Sequence, residues 1–425
     1  MTLPGNAINA DDAAWAASLF DQIAAMSPDT AGVSRPALSE LETRVLDYLD
    51  DCAREAGLEA WRDAGQNSVY ALPGQKDAPR YVLTGSHVDS VPQGGNFDGL
   101  AGVVASMMCL RASVREGLVL PLPVHAIAMR AEESAWFGPC YIASKVLTGS
   151  LAADEAAACH KGDARSLHDH LTDLGVPGAA LSGQQPLADL SRIAGYLELH
   201  IEQGPLLAER GLPAAAVSGI RGNLRFRNIV VSGEAGHSGA VPRAYRRDPV
   251  MAMADLLNRL DESWSTIVQT GGDLVVTAGM VGTDPASHAM SRIPDQVTFS
   301  LDIRSQDRQT LSGMQDLLAT EMDDIAARRK VGFATGPAIQ TAPALMDQRI
   351  IAGLQAAMSA LGVEPMTMPS GGGHDAAVFA NAGVPSGMVF VRNRNGSHNP
   401  DEAMEIDDLV VGARIMLQYL SNTSK

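Results

Sequence analysis

The sequence predicts an α/β protein in which a domain with a mostly parallel sheet is interrupted by an inserted ferredoxin-like α+β domain. Three observations lead there. Short apolar runs at 81–84, 124–129 and 196–201 read as strands, with helical stretches between them. Such alternation indicates a largely parallel sheet covered by helices. Between 220 and 336 the order becomes β-α-β-β-α-β, that of a ferredoxin-like unit, and beyond it the helix and strand alternation resumes. Residues 1–219 and 337–425 are therefore expected to form one domain, and 220–336 a second.

Taken in order, Trp15, Leu19 and Ile23 recur every four residues, and Leu38, Leu41, Val45 and Leu49 follow the same helical spacing. The run YVLT at 81–84 opens the strand pattern, VHAIAM at 124–129 continues it and YLELHI at 196–201 follows. In the inserted region, RFRNIVVSG (225–233), DLVVTAGMVG (273–282) and QVTFSLDIRS (296–305) read as strands. Helices are expected at 246–262 and 307–329, and a short strand near 331–337. No internal repeat, coiled coil or low-complexity segment is evident.

Composition narrows the function classes. Acidic residues number 49 against 32 basic ones, a net charge of −17. Nucleic acid and anionic membranes both call for a basic footprint, so neither is an expected partner. The composition is 46% apolar and 19% charged, which is that of a folded globular protein. There is no apolar run long enough to span a bilayer, and the opening residues lack the pattern of a secretory signal. Cys52, Cys109, Cys140 and Cys159 form no CxxC pair and read as reduced, mostly buried thiols of a cytoplasmic protein.

The chemistry concentrates at the ends of the expected strands, where sites form in open α/β sheets. Directly after YVLT comes GSHVDSVPQGGNFDG (85–99), which offers His87, Asp89 and Asp98 on a glycine-rich loop. Asp89 is placed to accept the second ring N–H of His87, as carboxylates beside metal-bound histidines do. Read alone, the run could also be a polar loop with Asx turns. MRAEESAWFG (129–138) carries adjacent Glu132 and Glu133, so one could bind metal while its neighbour faces water, although such pairs also occur at solvated helix starts. In YLELHIEQG (196–204) strand alternation puts Glu198, His200 and Glu202 on one face, which suits a supported ligand or simply a solvated edge. His374 in SGGGHDA and His398 in NGSHNPDE lie on glycine-containing loops. Of the other histidines, His160, His168 and His170 read as exposed helical residues, His125 as a core strand residue and His288 as a loop residue.

Together His87, Asp98, Glu133, His200 and His398 make a nitrogen and oxygen donor set without thiolate. Such a set suits catalytic Zn²⁺, Mn²⁺ or Co²⁺ better than a structural zinc. Five ligands on one ion would leave no open position, whereas two ions sharing a bridging carboxylate would.

At this point the motifs resemble a known family. GSHVDSVPQGGNFDG, EES, LHIEQGP, GEAGHSGAVP, LDIR, SGGGHDA and GSHNPDE occur in the order found in the dinuclear-metal amidohydrolases. That group includes N-carbamoyl-L-amino-acid hydrolase, β-ureidopropionase and allantoate amidohydrolase, within the aminoacylase and carboxypeptidase superfamily. The similarity runs from about residue 40 to 420. It implies two divalent ions per subunit (Zn²⁺, Mn²⁺, Co²⁺ or Ni²⁺) held by His87, Asp98, Glu133, His200 and His398, with Asp98 bridging and Asp89 orienting His87. It implies Glu132 as the general base generating a bridging hydroxide, and His237 of GEAGHSGAVP as the group polarising the scissile carbonyl. Gln203 and His374 become substrate contacts, and Arg304 of LDIR the partner of a substrate carboxylate. The inserted domain would act as a lid and dimerisation domain, its sheet edges pairing in a homodimer so that His237 reaches the partner's site.

One departure stands out. Where the family has Asn in an N-x-I-P run, this chain reads SRIP, with Ser291 at the Asn position and Arg292 beside it. Ser291 keeps a hydroxyl but loses the amide fork, which alters the carboxylate end of the pocket. The expected reaction is hydrolysis of the linear amide C–N bond of an N-carbamoyl amino acid or related ureido acid. Allantoate-type amidohydrolysis, an aminoacylase or dipeptidase activity and a non-catalytic binding role are the rivals.

Overall fold

The computed structural model describes residues 3–182 and 185–423. The chain divides into two compact units, one formed by the residues up to Ser218 and from Leu345 onward, the other by Gly219–Ala344.

In the first unit a nine-stranded sheet is found among the described residues. Its centre is parallel: Tyr81–His87 lies between Val124–Met129 and Ile193–Ile201, and Ser386–Val391 continues beyond Ile193–Ile201. The flanks run antiparallel, with Glu59–Arg62 and Ser68–Ala71 on one side and Ala214–Ile220 on the other. Residues of Val124–Met129 and Ser386–Val391 are buried throughout, which is why these strands read as unbroken apolar runs. The strand expected at 196–201 begins earlier, at Ile193, and both its faces are buried, so Glu198 and His200 are not on a solvated edge.

Helices cover this sheet. Leu100–Glu116 is rich in Ala, Val and Met, and its residues from Leu100 to Leu110 are all buried. It packs against Ile406–Asn422 and Ala10–Met26, and the last of these begins with a capping box in which Asn9 and Asp12 satisfy each other's free N–H groups. Glu40–Glu55 starts at the Ser39 cap. Leu38, expected inside that helix, precedes it with φ of 59°. Leu19, Val45, Leu49, Val104, Met108, Leu409 and Met416 belong to the common core.

The second unit carries a six-stranded sheet among the described residues. Gln296–Ser305 and Gly222–Ser232 form its centre in antiparallel register, from Gln296 opposite Ser232 to Ser305 opposite Gly222. Every second residue of Gln296–Ser305 from Val297 onward is buried, and the helices Pro249–Gln269 and Arg308–Arg329 supply Leu256, Leu260, Leu318 and Ile325 to the same core. The strand expected at 273–282 is broken into Val275–Thr277 and Val281–Gly282, each pairing with Gln296–Ser305. The unit reaches Ala344 rather than 336, because Ile339–Thr341 still pairs with Gly222–Ser232.

Candidate metal centre

The carboxyl ends of the four central parallel strands bring one set of residues together. His87 ends Tyr81–His87, Glu132 and Glu133 follow Val124–Met129, His200 lies near the end of Ile193–Ile201, and His398 is on the loop after Ser386–Val391. Asp98 arrives from the glycine-rich loop, one residue before the Gly99 cap of Leu100–Glu116.

Asp98 is the hub. Its Oδ1 lies 3.1 Å from His200 Nε2 and 3.5 Å from His87 Nε2. Its Oδ2 lies 3.6 Å from His398 Nε2, which is in turn 3.3 Å from Glu133 Oε1. Two triads capable of holding an ion therefore share this carboxylate: His87, Asp98 and His200, and Asp98, Glu133 and His398. His87, Asp98, Glu132, Glu133 and His200 are buried, whereas the His398 side chain is 51% exposed and forms the open side.

The donor set fits cations. His87 Nδ1 faces the Asp89 carbonyl at 3.1 Å and His200 Nδ1 faces the Ile201 carbonyl at 2.9 Å. Each ring thus commits its Nδ1–H to an acceptor, which leaves an Nε2 lone pair turned toward an anionic carboxylate. The backbone N–H of Gly99 also donates to His200 Nε2 (3.2 Å). Lone pairs facing a carboxylate in a buried site require a positive charge between them. Residues His87, Asp98, Glu133, His200 and His398 would hold the ions.

The charges respond accordingly. Burial alone would depress His87, but Glu132, Asp89 and Asp98 raise its pKa well above the ordinary value. His200 is raised by Asp98 against the same burial. Asp98, which burial would push up, is instead held well below the carboxylate range by His200 and His87. The hydrogen bond to Glu133 pushes His398 up to about 9. Glu132 is raised well above the usual value, by burial first and by Glu133, with His87 opposing.

Asp89 does more than orient His87. Its two carboxylate oxygens accept the backbone N–H groups of Glu132 (2.9 Å) and Glu133 (3.0 Å), so Asp89 positions three site residues, the two glutamates through its carboxylate and His87 through its backbone carbonyl. Beneath them, Glu42 pairs with Arg130 (2.6 Å) and accepts the Ala131 N–H (3.1 Å). Ala131, Gln203 and His398 all adopt positive φ, at 53°, 63° and 60°. Left-handed backbone at residues other than glycine stores strain and clusters at functional sites.

Gln203 donates to Asp98 Oδ2 (2.7 Å), and its backbone N–H donates to Asn393 Oδ1 (3.0 Å). His374 is fully buried; its Nε2 lies 2.8 Å from Ser370 Oγ and its ring packs edge-on against His200, 4.4 Å between centroids. In this arrangement it supports the His200 ring. Residues without an assignment from sequence also belong here. Glu198 accepts from Ser86 (2.7 Å) and from the Ala376 N–H (2.9 Å), and Glu402 accepts the Phe97 and Asp98 N–H groups (2.8 and 3.2 Å). Glu402 ends the same NGSHNPDE run that carries His398, and Glu198 is two residues before His200, so proximity in the motif was the available signal.

His237, Ser291 and Arg304 lie in the second unit. His237 is exposed, sits opposite Arg292 in a two-stranded ladder, and accepts the Gly239 N–H at Nδ1 (3.2 Å). The Ser238 N–H donates to the Ser291 carbonyl (2.8 Å), so His237 and the SRIP run are neighbours. Arg304 is half-buried and its Nη2 donates to Asp302 (2.8 Å), a carboxylate also contacted by Arg225 (3.1 Å). Elsewhere, His160 and His170 are half-buried rather than exposed, and of the four cysteines Cys52 and Cys109 are buried while Cys159 is exposed. No helix among the described residues is long and apolar enough to cross a membrane.

The chain is similar to several known proteins. The model of peptidase family M20/M25/M40 matches residues 83–422. An N-carbamoyl-L-amino acid amidohydrolase of Geobacillus stearothermophilus is 33% identical, covering 91% of this chain and 92% of that protein. The allantoate amidohydrolase of Escherichia coli (strain K12) is 31% identical over 86% of each. Among solved structures, an amidase of the hydantoinase/carbamoylase family from Burkholderia multivorans superposes with a TM-score of 0.85 at 27% identity, covering 96% of this chain and 97% of the other. The chain belongs to peptidase family M20/M25/M40, on the side of its amidohydrolases, and is a hydrolase.

Proposed function

We propose that this protein hydrolyses the linear amide C–N bond of an N-carbamoyl amino acid or a related ureido acid. The observation that carries the reading is the sharing of Asp98 between two donor triads, with Glu132 beside them and 3.9 Å from His87 Nε2. The substrate class comes from relatives named for N-carbamoyl-L-amino acids and allantoate. When bound, two divalent ions would supply Lewis acidity toward water and the scissile carbonyl.

The chain's own residues do the rest. Glu132, buried and with a raised pKa, takes a proton from the attacking water and returns it to the leaving nitrogen as the C–O bond forms and the C–N bond breaks. Asp89 fixes Glu132 through its backbone N–H. His237 stabilises the developing negative charge on the carbonyl oxygen. Arg304 pairs with the substrate carboxylate, Ser291 takes the place of an amide there, and Gln203 and His374 line the remainder. The second unit serves as lid and dimerisation domain of a cytoplasmic homodimer in which His237 completes the partner's site.

Allantoate-type hydrolysis is the second reading, favoured by Arg292, a cation placed opposite His237 next to the Ser291 substitution. Ammonia release across N-carbamoyl amino acids, N-carbamoyl-β-alanine, allantoate and dipeptides, with Mn²⁺, Co²⁺, Ni²⁺ or Zn²⁺ supplied, tests both. Turnover of the carbamoyl compounds well above dipeptides is expected. Dipeptide cleavage without ureido hydrolysis would overturn the reading.

A further inference from the structure

A second donor cluster lies in the first unit, on different residues from the Asp98 centre. His160, Asp163 and His170 bring their donor atoms within 4.8 Å of one another. His170 Nε2 is 3.3 Å from Asp163 Oδ1 and 3.2 Å from Oδ2, and His160 Nδ1 is 3.4 Å from Oδ1. The segment that holds them is pre-shaped: the His160 N–H donates to the Arg165 carbonyl (2.8 Å), the Ala164 N–H donates to the His160 carbonyl (3.0 Å), and Ala164 takes a left-handed φ of 60°.

Each donor is held by contacts outside the triad. Phe137 meets the His170 ring edge-on at 5.1 Å, and the Trp136 ring stacks over His160 at 6.3 Å. The Arg165 N–H donates to Asp163 (3.0 Å) and keeps its carboxyl below the ordinary pKa, hence ionised. At His160, Nδ1 accepts the Gly162 and Asp163 N–H groups (3.2 and 3.4 Å), so that nitrogen carries no proton toward the Asp163 carboxylate. A cation held by the triad would take the place of these N–H donors at Nδ1 and offset the carboxylate charge 3.4 Å away.

We propose that His160, Asp163 and His170 form a second metal site, separate from the centre on Asp98, for Zn²⁺ or a similar borderline divalent cation. Two imidazoles and one carboxylate are a donor set that zinc accepts, with water completing the shell. Exposures of 18%, 46% and 16% for the three side chains leave the site reachable from solvent. The ion would hold this segment against the short helix Ser134–Phe137, to which the Lys161 N–H already donates at the Trp136 carbonyl (3.0 Å). That helix directly follows Glu133, so the site is a clamp on the segment carrying the Glu132–Glu133 pair.

The test compares zinc content after chelation, dialysis against Zn²⁺ and desalting, for the full-length protein, His170→Ala, Asp163→Asn and the control His168→Ala. His168 is an exposed neighbour outside the triad. One equivalent of zinc is expected to be lost in both His170→Ala and Asp163→Asn and kept in His168→Ala. Circular dichroism restricts the comparison to folded variants, and the conservative Asp163→Asn change keeps a usable arm should His170→Ala fail to fold. The reading is a difference between variants, so it holds whatever the content of the Asp98 centre. Equal zinc in the wild type and the triad variants would overturn the proposal, as would an equal loss in His168→Ala.

Discussion

Glu132 and Glu133 are adjacent in sequence and differ in what they face. Glu133 lies beside His398 and within a donor triad, while Glu132 stands 3.9 Å from His87 Nε2 outside both shared triads. Glu132→Gln removes the base and keeps the shape, so turnover is expected to fall about 10²–10⁴-fold with metal content unchanged. Glu133→Gln is expected to lower metal content instead. Elemental analysis alongside kinetics separates the two, and a reversed pattern would exchange their roles. The histidines add a pH signature. His87 and His200 have raised pKa values and His398 is pushed up to about 9. The His398 ring therefore carries a proton near neutrality and must shed it to bind a cation. Metal uptake therefore releases protons, and affinity rises with pH toward about 9, by about tenfold per pH unit for each proton released. Titration calorimetry in buffers of different ionisation enthalpy measures the release, and a heat independent of buffer would contradict it.

At the scale of elements, the site depends on where strands end and one helix begins. Gly99 caps Leu100–Glu116 with φ of +67°, and a Cβ there would lie 2.4 Å from the His87 ring. Gly99→Ala is expected to lose about 1–3 kcal/mol of stability from the backbone conformation alone, and to displace His87 so that metal binding weakens as well. Denaturant unfolding and metal titration check the two effects; a variant with wild-type stability and metal affinity would contradict this account of the turn. Much of this layer was legible in the sequence, because buried parallel strands read as apolar runs and the polar motifs follow them directly. Other parts had no local signature. Glu42 and Arg130 are far apart in sequence, and their pairing beneath Ala131 has no periodic pattern to betray it. The alternation in YLELHI leaves both a supported ligand and a solvated edge open, and only the pairing of its strand with Tyr81–His87 and Ser386–Val391 shows Glu198 and His200 to be buried. The break between Val275–Thr277 and Val281–Gly282 was hidden by an apolar run that reads as one strand.

For the whole molecule, the sequence motifs fall into two groups that the fold separates. His87, Asp98, Glu133, His200 and His398 belong to the first unit, and His237, Ser291 and Arg304 to the second. Their order along the chain was readable from motifs. The division at Ala344 was not, since the Ile339–Thr341 strand is short and exposed and has no apolar alternation to announce it. The proposed reaction draws on both groups, but its foundation is the first: a single carboxylate, Asp98, presenting one oxygen to His87 and His200 and the other to His398. Anomalous diffraction from crystals of the protein loaded with zinc and measured at the zinc edge examines that foundation most directly. Two peaks are expected on either side of the Asp98 carboxylate, one bounded by His87 and His200 and the other by Glu133 and His398. A single peak at Asp98, or zinc bound only away from it, would contradict the shared-carboxylate centre.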